Sequence, residues 1–384
     1  MLEDSQSLQP NFAPIDRDST PKFTEDERCL MQRCLSLARQ AIGRTAPNPM
    51  VGSVIVAGDE IVGEGFHPGA GQPHAEVFAL RQAGDRARGA TLYVNLEPCN
   101  HYGRTPPCTE AIIAAGIQKV VVGMIDPDRR VSGSGVERLR QMGIEVVVGV
   151  EEADCRHLNE AFIHRCLYQR PFGIFKYAMT LDGKIAAASG HSAWVTSEAA
   201  RAEVHRLRAT CDAVIVGGNT VRQDNPLLTS RQVGQTPLRV VMSRSLNLPR
   251  DARLWNTQET ATLVITEPNT DPDLQEFLRD RGVDVLEVIP LTPAAVMTHL
   301  AARGLLSVLW ECGGSLAAAA ITEGVVQKVL AFIAPKFIGG DGLSPIGSLG
   351  LTQMSQAVQL ERISWRMVES DLLLEGYLVQ PNQP

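Results

Sequence analysis

Pro73-His74-Ala75-Glu76 and, farther on, Glu97-Pro98-Cys99-Asn100-His101-Tyr102-Gly103-Arg104-Thr105-Pro106-Pro107-Cys108 decide how the chain is read. A lone histidine or cysteine usually packs in a core or decorates a surface. Here one histidine, two cysteines and a glutamate recur at the turns of an alternating strand and helix pattern. Catalytic zinc takes three protein ligands and leaves a fourth position to water, so His74, Cys99 and Cys108 are the predicted ligands. The cation lowers the pKa of that water towards neutrality. Glu76, two residues beyond the histidine, is the predicted catalytic proton carrier, moving protons from water to a departing amine without ligating the metal. The implied reaction is hydrolytic deamination.

The surrounding pattern is α/β. Thr24 and Glu27 make a capping-box spacing, and Leu30, Cys34, Leu37 and Ala41 follow at helical intervals. Strands are predicted over 51–56 and 61–65 about the Gly58-Asp59 turn, then over 92–95, 119–124 and 145–150. Helices over 75–82 and 109–115 begin beside His74 and Cys108, where the positive helix end favours thiolate over thiol. A further helix is read over 136–142, with Ser132-Gly133-Ser134-Gly135 as its entry turn rather than a dinucleotide loop. One connecting helix is expected over 153–169, ending at Arg170-Pro171. A second α/β pattern follows, with strands over 172–179, 213–216, 239–242, 262–266, 307–311 and 328–333 and helices over 197–209, 271–280 and 315–323. The expected division is a flexible tail over 1–23, a zinc unit over 24–150, a connection over 151–171 and a second catalytic unit over 172–384.

Composition narrows the partners. A length of 384 residues exceeds one ordinary core, which makes two domains the expectation. A net charge of -7 and a pI near 5.7 argue against a general nucleic-acid surface, though not against a local pocket for a phosphorylated small molecule. No apolar run is long enough to span a bilayer, so no membrane partner is expected. The N-terminus lacks the order of a secretory signal, and Glu3, Asp4, Asp16 and Asp18 speak against a transit peptide. The eight cysteines are scattered, not laid out as a secreted framework. A reducing cytoplasm is therefore the expected location.

Nucleoside and nucleic-acid deaminases bring their cysteines together as Pro-Cys-x-x-Cys. This chain instead inserts Asn100 to Pro107, and with it His101 and Arg104. That loop, with Pro47-Asn48-Pro49-Met50-Val51-Gly52 and Pro73-His74-Ala75-Glu76, resembles the deaminase half of the bifunctional riboflavin-biosynthesis deaminase–reductases. Asn100 replaces the usual Ser, and Asp126-Pro127-Asp128-Arg129 departs from the family's Asp-Pro-Asn-Pro. The second half has no Gly-x-Gly-x-x-Gly and so no support for a Rossmann domain. It carries Lys176-Tyr177-Ala178-Met179-Thr180-Leu181-Asp182-Gly183-Lys184, Ser192-Ala193-Trp194-Val195-Thr196-Ser197, Asp224-Asn225-Pro226-Leu227-Leu228-Thr229-Ser230-Arg231 and Trp310-Glu311-Cys312-Gly313-Gly314-Ser315-Leu316. These blocks are similar to the reductase half of the same family, whose fold is like dihydrofolate reductase.

The resemblance implies a cytidine-deaminase-like zinc domain followed by a dihydrofolate-reductase-like α/β domain, with Zn2+ and NADPH as cofactors and a phosphoribosylaminopyrimidine as substrate. It implies that Asn48, His67, His101 and Arg104 contact the pyrimidinone and its ribose phosphate. A guanidinium fork suits phosphate, and an amide suits a heterocycle edge. In the second half it implies that Ser192, Arg208, Leu227, Arg231 and Glu311 contact substrate. Ala178, Trp194, Thr220, Asp224, Gly313, Gly314, Ser315, Leu316, Ala317, Ala318 and Ala319 are implied contacts of NADPH. Asn225 stands for a usual Asp. Ser243-Arg244 replaces the usual Asp-Ser, and Arg244 is read as a partner for the cofactor's extra phosphate. Lys176 or Asp182 is a candidate for the reductive proton step. A homo-oligomer is expected. Two alternatives are a relative with one decayed site and a nucleic-acid base-modifying module. Intact His74, Glu76, Asp224 and Glu311 weigh against the first, and the acidic balance and long cysteine loop against the second.

Overall fold

Thr24 opens the first helix, α1 (Glu25–Arg39): its hydroxyl accepts from the Glu27 N–H and the Glu27 carboxylate accepts from the Thr24 N–H, both at 3.1 Å. The computed structural model of the chain describes residues 23–102, 106–129 and 131–379. The tail expected over 1–23 therefore lies, but for Phe23, outside the described residues.

Strands β1 (Gly52–Ala57) and β2 (Glu60–Phe66) pair as an antiparallel hairpin. Helix α2 (Ala75–Ala83) lies so close to it that a Cβ on Gly63 would stand 2.2 Å from the Ala79 carbonyl oxygen. Only glycine permits that approach, and it fixes where the start of α2, with His74 and Glu76, can sit. Next come β3 (Thr91–Val94), α3 (Cys108–Ala115), β4 (Lys119–Val122), α4 (Ser134–Gln141) and β5 (Glu145–Val148). The sheet order is β2-β1-β3-β4-β5, with β1 antiparallel to both neighbours and β3, β4 and β5 parallel. Alternating residues feed two cores, as a period of two requires. Ile55, Leu92, Val120 and Val122 pack with Ala79, Ile112 and Leu139, while Val54, Tyr93 and Val121 pack with Met31, Cys34 and Leu35 of α1.

The single connecting helix expected over 153–169 is two, α5 (Glu152–Leu158) and α6 (Glu160–Tyr168), broken at Asn159 with φ −105 and ψ 21. Asparagine competes for backbone groups outside its own helix. Here its amide engages both the N–H and the carbonyl of Met50, at 2.8 and 3.0 Å.

The second sheet is built from β6 (Phe172–Thr180), α7 (Glu198–Thr210), β7 (Ala213–Gly217), α8 (Gly218–Asp224), β8 (Leu238–Met242), β9 (Thr262–Thr266), α9 (Pro272–Asp280), β10 (Asp284–Glu287), α10 (Pro293–Ala302), β11 (Ser307–Trp310), α11 (Gly314–Thr322), β12 (Lys328–Ala334), β13 (Leu360–Val368) and β14 (Asp371–Leu378). Its order is β10-β9-β8-β7-β11-β6-β12-β14-β13, parallel from β10 to β12 and antiparallel through β14 to β13. Central β11, between β7 and β6, delivers Glu311 and the two glycines at its C-terminal end, where open α/β sheets place ligands. The short elements α8, β10 and α10 and the final hairpin were not expected from the sequence.

Candidate active sites

The donor atoms of His74, Cys99 and Cys108 all lie within 4.8 Å of one another. Nδ1 of His74 is 3.2 Å from Sγ of Cys108 and 3.5 Å from Sγ of Cys99. His74 occupies the cap position of α2 but makes no side-chain cap bond, which leaves its ring for the cluster. Cys108 is the first residue of α3, and its N–H points at the Cys99 sulfur at 3.4 Å. A hydrogen bond from the Cys108 thiol, aided by His74, brings Cys99 down to about 4 against the opposing effect of burial. The same bond, with burial, pushes Cys108 far above the usual thiol range, and the bond to Cys99 lifts His74 to about 9. His74 and Cys108 thus hold protons that a divalent cation displaces when it binds, while Cys99 is already a thiolate, and the chemistry of the three donors fits zinc.

Glu76 lies in the first turn of α2, only 3% exposed, and its Oε2 has no partner. Burial pushes its carboxyl pKa up. A desolvated carboxyl oxygen left unpaired is costly, and beside three metal donors it is placed to exchange protons.

Asn48 donates from Nδ2 to Nε2 of His67 at 3.0 Å, and Nδ1 of His67 donates to the Pro73 carbonyl at 3.0 Å. His67 is 2% exposed, and burial lowers its pKa, so it is a neutral ring with both nitrogens engaged. The structure therefore places His67 behind Asn48, aiming its amide. His101 is exposed at a bend, and Arg104 lies outside the described residues.

Glu97 has a role the sequence did not reveal. It is 3% exposed, and its carboxylate accepts from the N–H groups of Asp126, Gly133, Gly135 and Val136 at 2.9 to 3.1 Å. Gly133 caps α4 without a side chain, and Glu97 supplies the missing anion from a neighbouring strand end. This ties the segment leading to Cys99 to the 126–136 stretch. The signal was present only as an acidic residue abutting an apolar strand.

In the second half Glu311, just beyond β11, takes a bidentate pair from Arg208 of α7, with Nε and Nη2 at 2.6 and 3.0 Å, and faces Nζ of Lys176 at 3.5 Å. Burial pushes the carboxyl up, yet Arg208 and Lys176 hold it at about 2. Burial likewise lowers Lys176. Arg208 also bonds the Thr229 carbonyl and His205 through Nη1, whereas Arg231 is exposed on a left-handed turn at φ 49. Ser192 reaches Asp224 at 3.5 Å. Leu227, Ala178 and Thr220 are half-buried.

Gly313 caps α11, and a Cβ there would meet nothing within 4 Å, so the backbone lies open to a phosphate. Ser315 is exposed and Leu316 and Ala319 are half-buried, but Ala317 and Ala318 turn into the core. Trp194 is 69% exposed under the Arg201 guanidinium, which lies 4.5 Å from its ring centre. Arg244 is exposed at the C-terminal end of β8. Asp182 is spoken for: it accepts from Thr180 and from the N–H groups of Ile338 and Gly339, stapling two loops together.

Residues 24–124 match the family model of the cytidine and deoxycytidylate deaminase zinc-binding region, and residues 171–374 match the RibD C-terminal domain. The chain is 64% identical over 350 residues to the riboflavin biosynthesis protein RibD of Synechocystis, covering 91% of this chain and 95% of that one. Among solved structures, Acinetobacter baumannii RibD superposes with a TM-score of 0.84 at 39% identity, covering 92% of this chain and 99% of that one. A Thermotoga maritima diaminohydroxyphosphoribosylaminopyrimidine deaminase/5-amino-6-(5-phosphoribosylamino)uracil reductase gives 0.82 at 36%, with the same coverage of 92% and 99%. With both halves matched in order and the zinc donors gathered at one point, the chain belongs to the RibD family, the bifunctional enzymes of riboflavin biosynthesis that join a zinc deaminase to an NADPH-dependent reductase.

Proposed function

We propose that His74, Cys99 and Cys108 hold the zinc and that Glu76 carries the protons of deamination. The substrate of this step is 2,5-diamino-6-(5-phosphoribosylamino)pyrimidin-4-one, whose 2-amino group leaves as ammonia. The observation that carries this reading is the buried, unpartnered Glu76 oxygen beside the three donors. Zinc bound there supplies the Lewis acidity that makes hydroxide available near neutral pH. Glu76 takes a proton from water and returns it to the departing nitrogen, and its raised pKa brings proton uptake closer to working pH. Asn48, aimed by His67, meets the heterocycle edge, while His101 and Arg104 serve the ribose phosphate.

The second step reduces the ribosyl group of the aminouracil to ribityl, with NADPH as hydride source. Ionised Glu311, fixed by Arg208 and Lys176, accepts from substrate hydroxyls, and Arg231 is the free guanidinium for phosphate. Lys176, its ammonium destabilised by burial, is better suited to the proton step than Asp182. The start of α11 cradles the cofactor's pyrophosphate, Trp194 lines the nicotinamide, and Arg244 takes the extra phosphate.

We assign residues 24–150 to the deaminase, 151–171 to the connection and 172–384 to the reductase. The described cysteines other than Cys166 form no disulfide, which suits a cytoplasmic thiolate site. None of the described helices is long and apolar enough to cross a membrane. A homo-oligomer would cover β13, where Ile363, Trp365 and Met367 are 55%, 70% and 58% exposed. Glu76→Gln tests the first assignment: zinc content stays at the wild-type level and ammonia release stops, while reduction of the deaminated intermediate continues. Retained ammonia release would overturn it.

A further inference from the structure

The loop that carries Asn48 is held by parts of the chain outside the first sheet. A Cβ on Gly43 would stand 2.2 Å from the carbonyl oxygen of Ala209, near the end of α7, so the two backbones touch. Pro47 packs on Gly304, which follows α10; a Cβ there would lie 3.6 Å from Cβ of Pro47. Met50 is gripped most firmly. Its N–H donates to Oδ1 of Asn159 at 2.8 Å, and its carbonyl accepts from Nδ2 of Asn159 and of Asn95, each at 3.0 Å. One asparagine amide thus satisfies both backbone groups of Met50, doing what a strand partner would do. Asn159 is 2% exposed.

The next residue faces the other way. Glu160 accepts from Nζ of Lys328 on β12 at 3.2 Å and from the Tyr377 hydroxyl on β14 at 2.6 Å. Arg165, on the same helix, reaches the Ala301 carbonyl of α10 at 3.2 Å. The helix break therefore joins two grips, one on the Asn48 loop and one on the second sheet.

We propose that Asn159 is a positioning residue for deamination: fixed to the reductase sheet through Glu160, it holds the loop that presents Asn48 to the substrate. This rests on the reading of Asn48 as a substrate contact. Without the clamp, the loop keeps freedom that it must lose when substrate binds, and that loss is charged to affinity. Proton transfer is spared, because Glu76 stands on α2, which the clamp does not touch.

The test uses full-length Asn159→Ala and Asn159→Asp. The second keeps the acceptor for the Met50 N–H but turns an oxygen towards its carbonyl. If the alanine variant does not fold, the aspartate variant carries the same prediction. Zinc content, deamination and reduction of the deaminated intermediate are measured in each. We expect the deaminase KM to rise about tenfold, the weight of one net hydrogen bond, with kcat within about twofold and zinc and reductase kinetics at wild-type values. A wild-type KM, or a fall in kcat alone, in a folded variant overturns the proposal, as does an equal loss of both activities. Asn48→Ala separates the two layers. A wild-type KM there overturns the substrate contact itself. A raised KM there, beside wild-type values in both Asn159 variants, overturns only the anchoring.

Discussion

Glu311 is buried yet ionised because two cations close on it, and that arrangement has a pH signature. Its folded pKa, about 2, lies below the ordinary 4.5 of an unfolded chain. The folded state therefore binds fewer protons, and the stabilisation is complete above about 4.5 and lost as pH falls through about 2. Glu311→Gln should flatten that part of the stability–pH curve, measured by denaturant unfolding, and weaken intermediate binding by about tenfold or more. An unchanged acid slope would show that the ion pairs do not hold Glu311 down. At this scale the gathering of His74, Cys99 and Cys108, with buried Glu76 beside them, was legible in the sequence, because donor chemistry is carried by residue type and short spacing. Glu97, Asn95 and Asn159 were not. Their partners are backbone N–H and carbonyl groups brought near by the fold, and any buried Glu or Asn would look the same in sequence. The partners of Asp182 were hidden for the same reason: nothing in its neighbours announces that Ile338 and Gly339 will meet it.

The start of α11 offers a contrast between two adjacent glycines. A Cβ on Gly313 meets nothing within 4 Å, and its φ of −71 suits any residue, whereas one on Gly314 would stand 2.9 Å from the Ser344 carbonyl and 3.0 Å from the Gly347 N–H. Gly313→Ala should keep the wild-type melting temperature and raise the NADPH KM about tenfold, by filling space the pyrophosphate needs. Gly314→Ala should lower the melting temperature as well, because the 344–347 segment must shift. Equal stability losses in both would contradict the reading of Gly313 as open to ligand. Capped or strongly periodic elements, such as α1 and the buried strands, could be read from the sequence. The apolar spacing of the connecting segment continues through Asn159 and so predicts one helix, whereas two meet at Asn159, whose amide is spent on the backbone of Met50. In β13 the run Ile363-Ser364-Trp365-Arg366-Met367 does alternate with the period of a strand, but its apolar face is exposed and joins no core, so the sequence reading above does not include the β13–β14 hairpin.

For the whole molecule, two motif sets in a fixed order identified both halves, but nothing in either set said how they join. The junction depends on Asn159, Glu160 and close backbone contacts such as Gly43 with Ala209. If β13 is covered by a second copy, Trp365→Glu should give a smaller species in sedimentation, since a charge cannot be buried unpaired at such a face; an unchanged mass would remove β13 from the interface. One chain performs two reactions in order at two sites. That order is tested by giving purified protein the diaminopyrimidinone ribotide and adding NADPH only after ammonia release has ended. Ammonia equimolar with substrate and an accumulated deaminated intermediate are expected before NADPH, then NADPH oxidised in the same amount. NADPH consumed without prior ammonia release, or ammonia release that waits for NADPH, would contradict it.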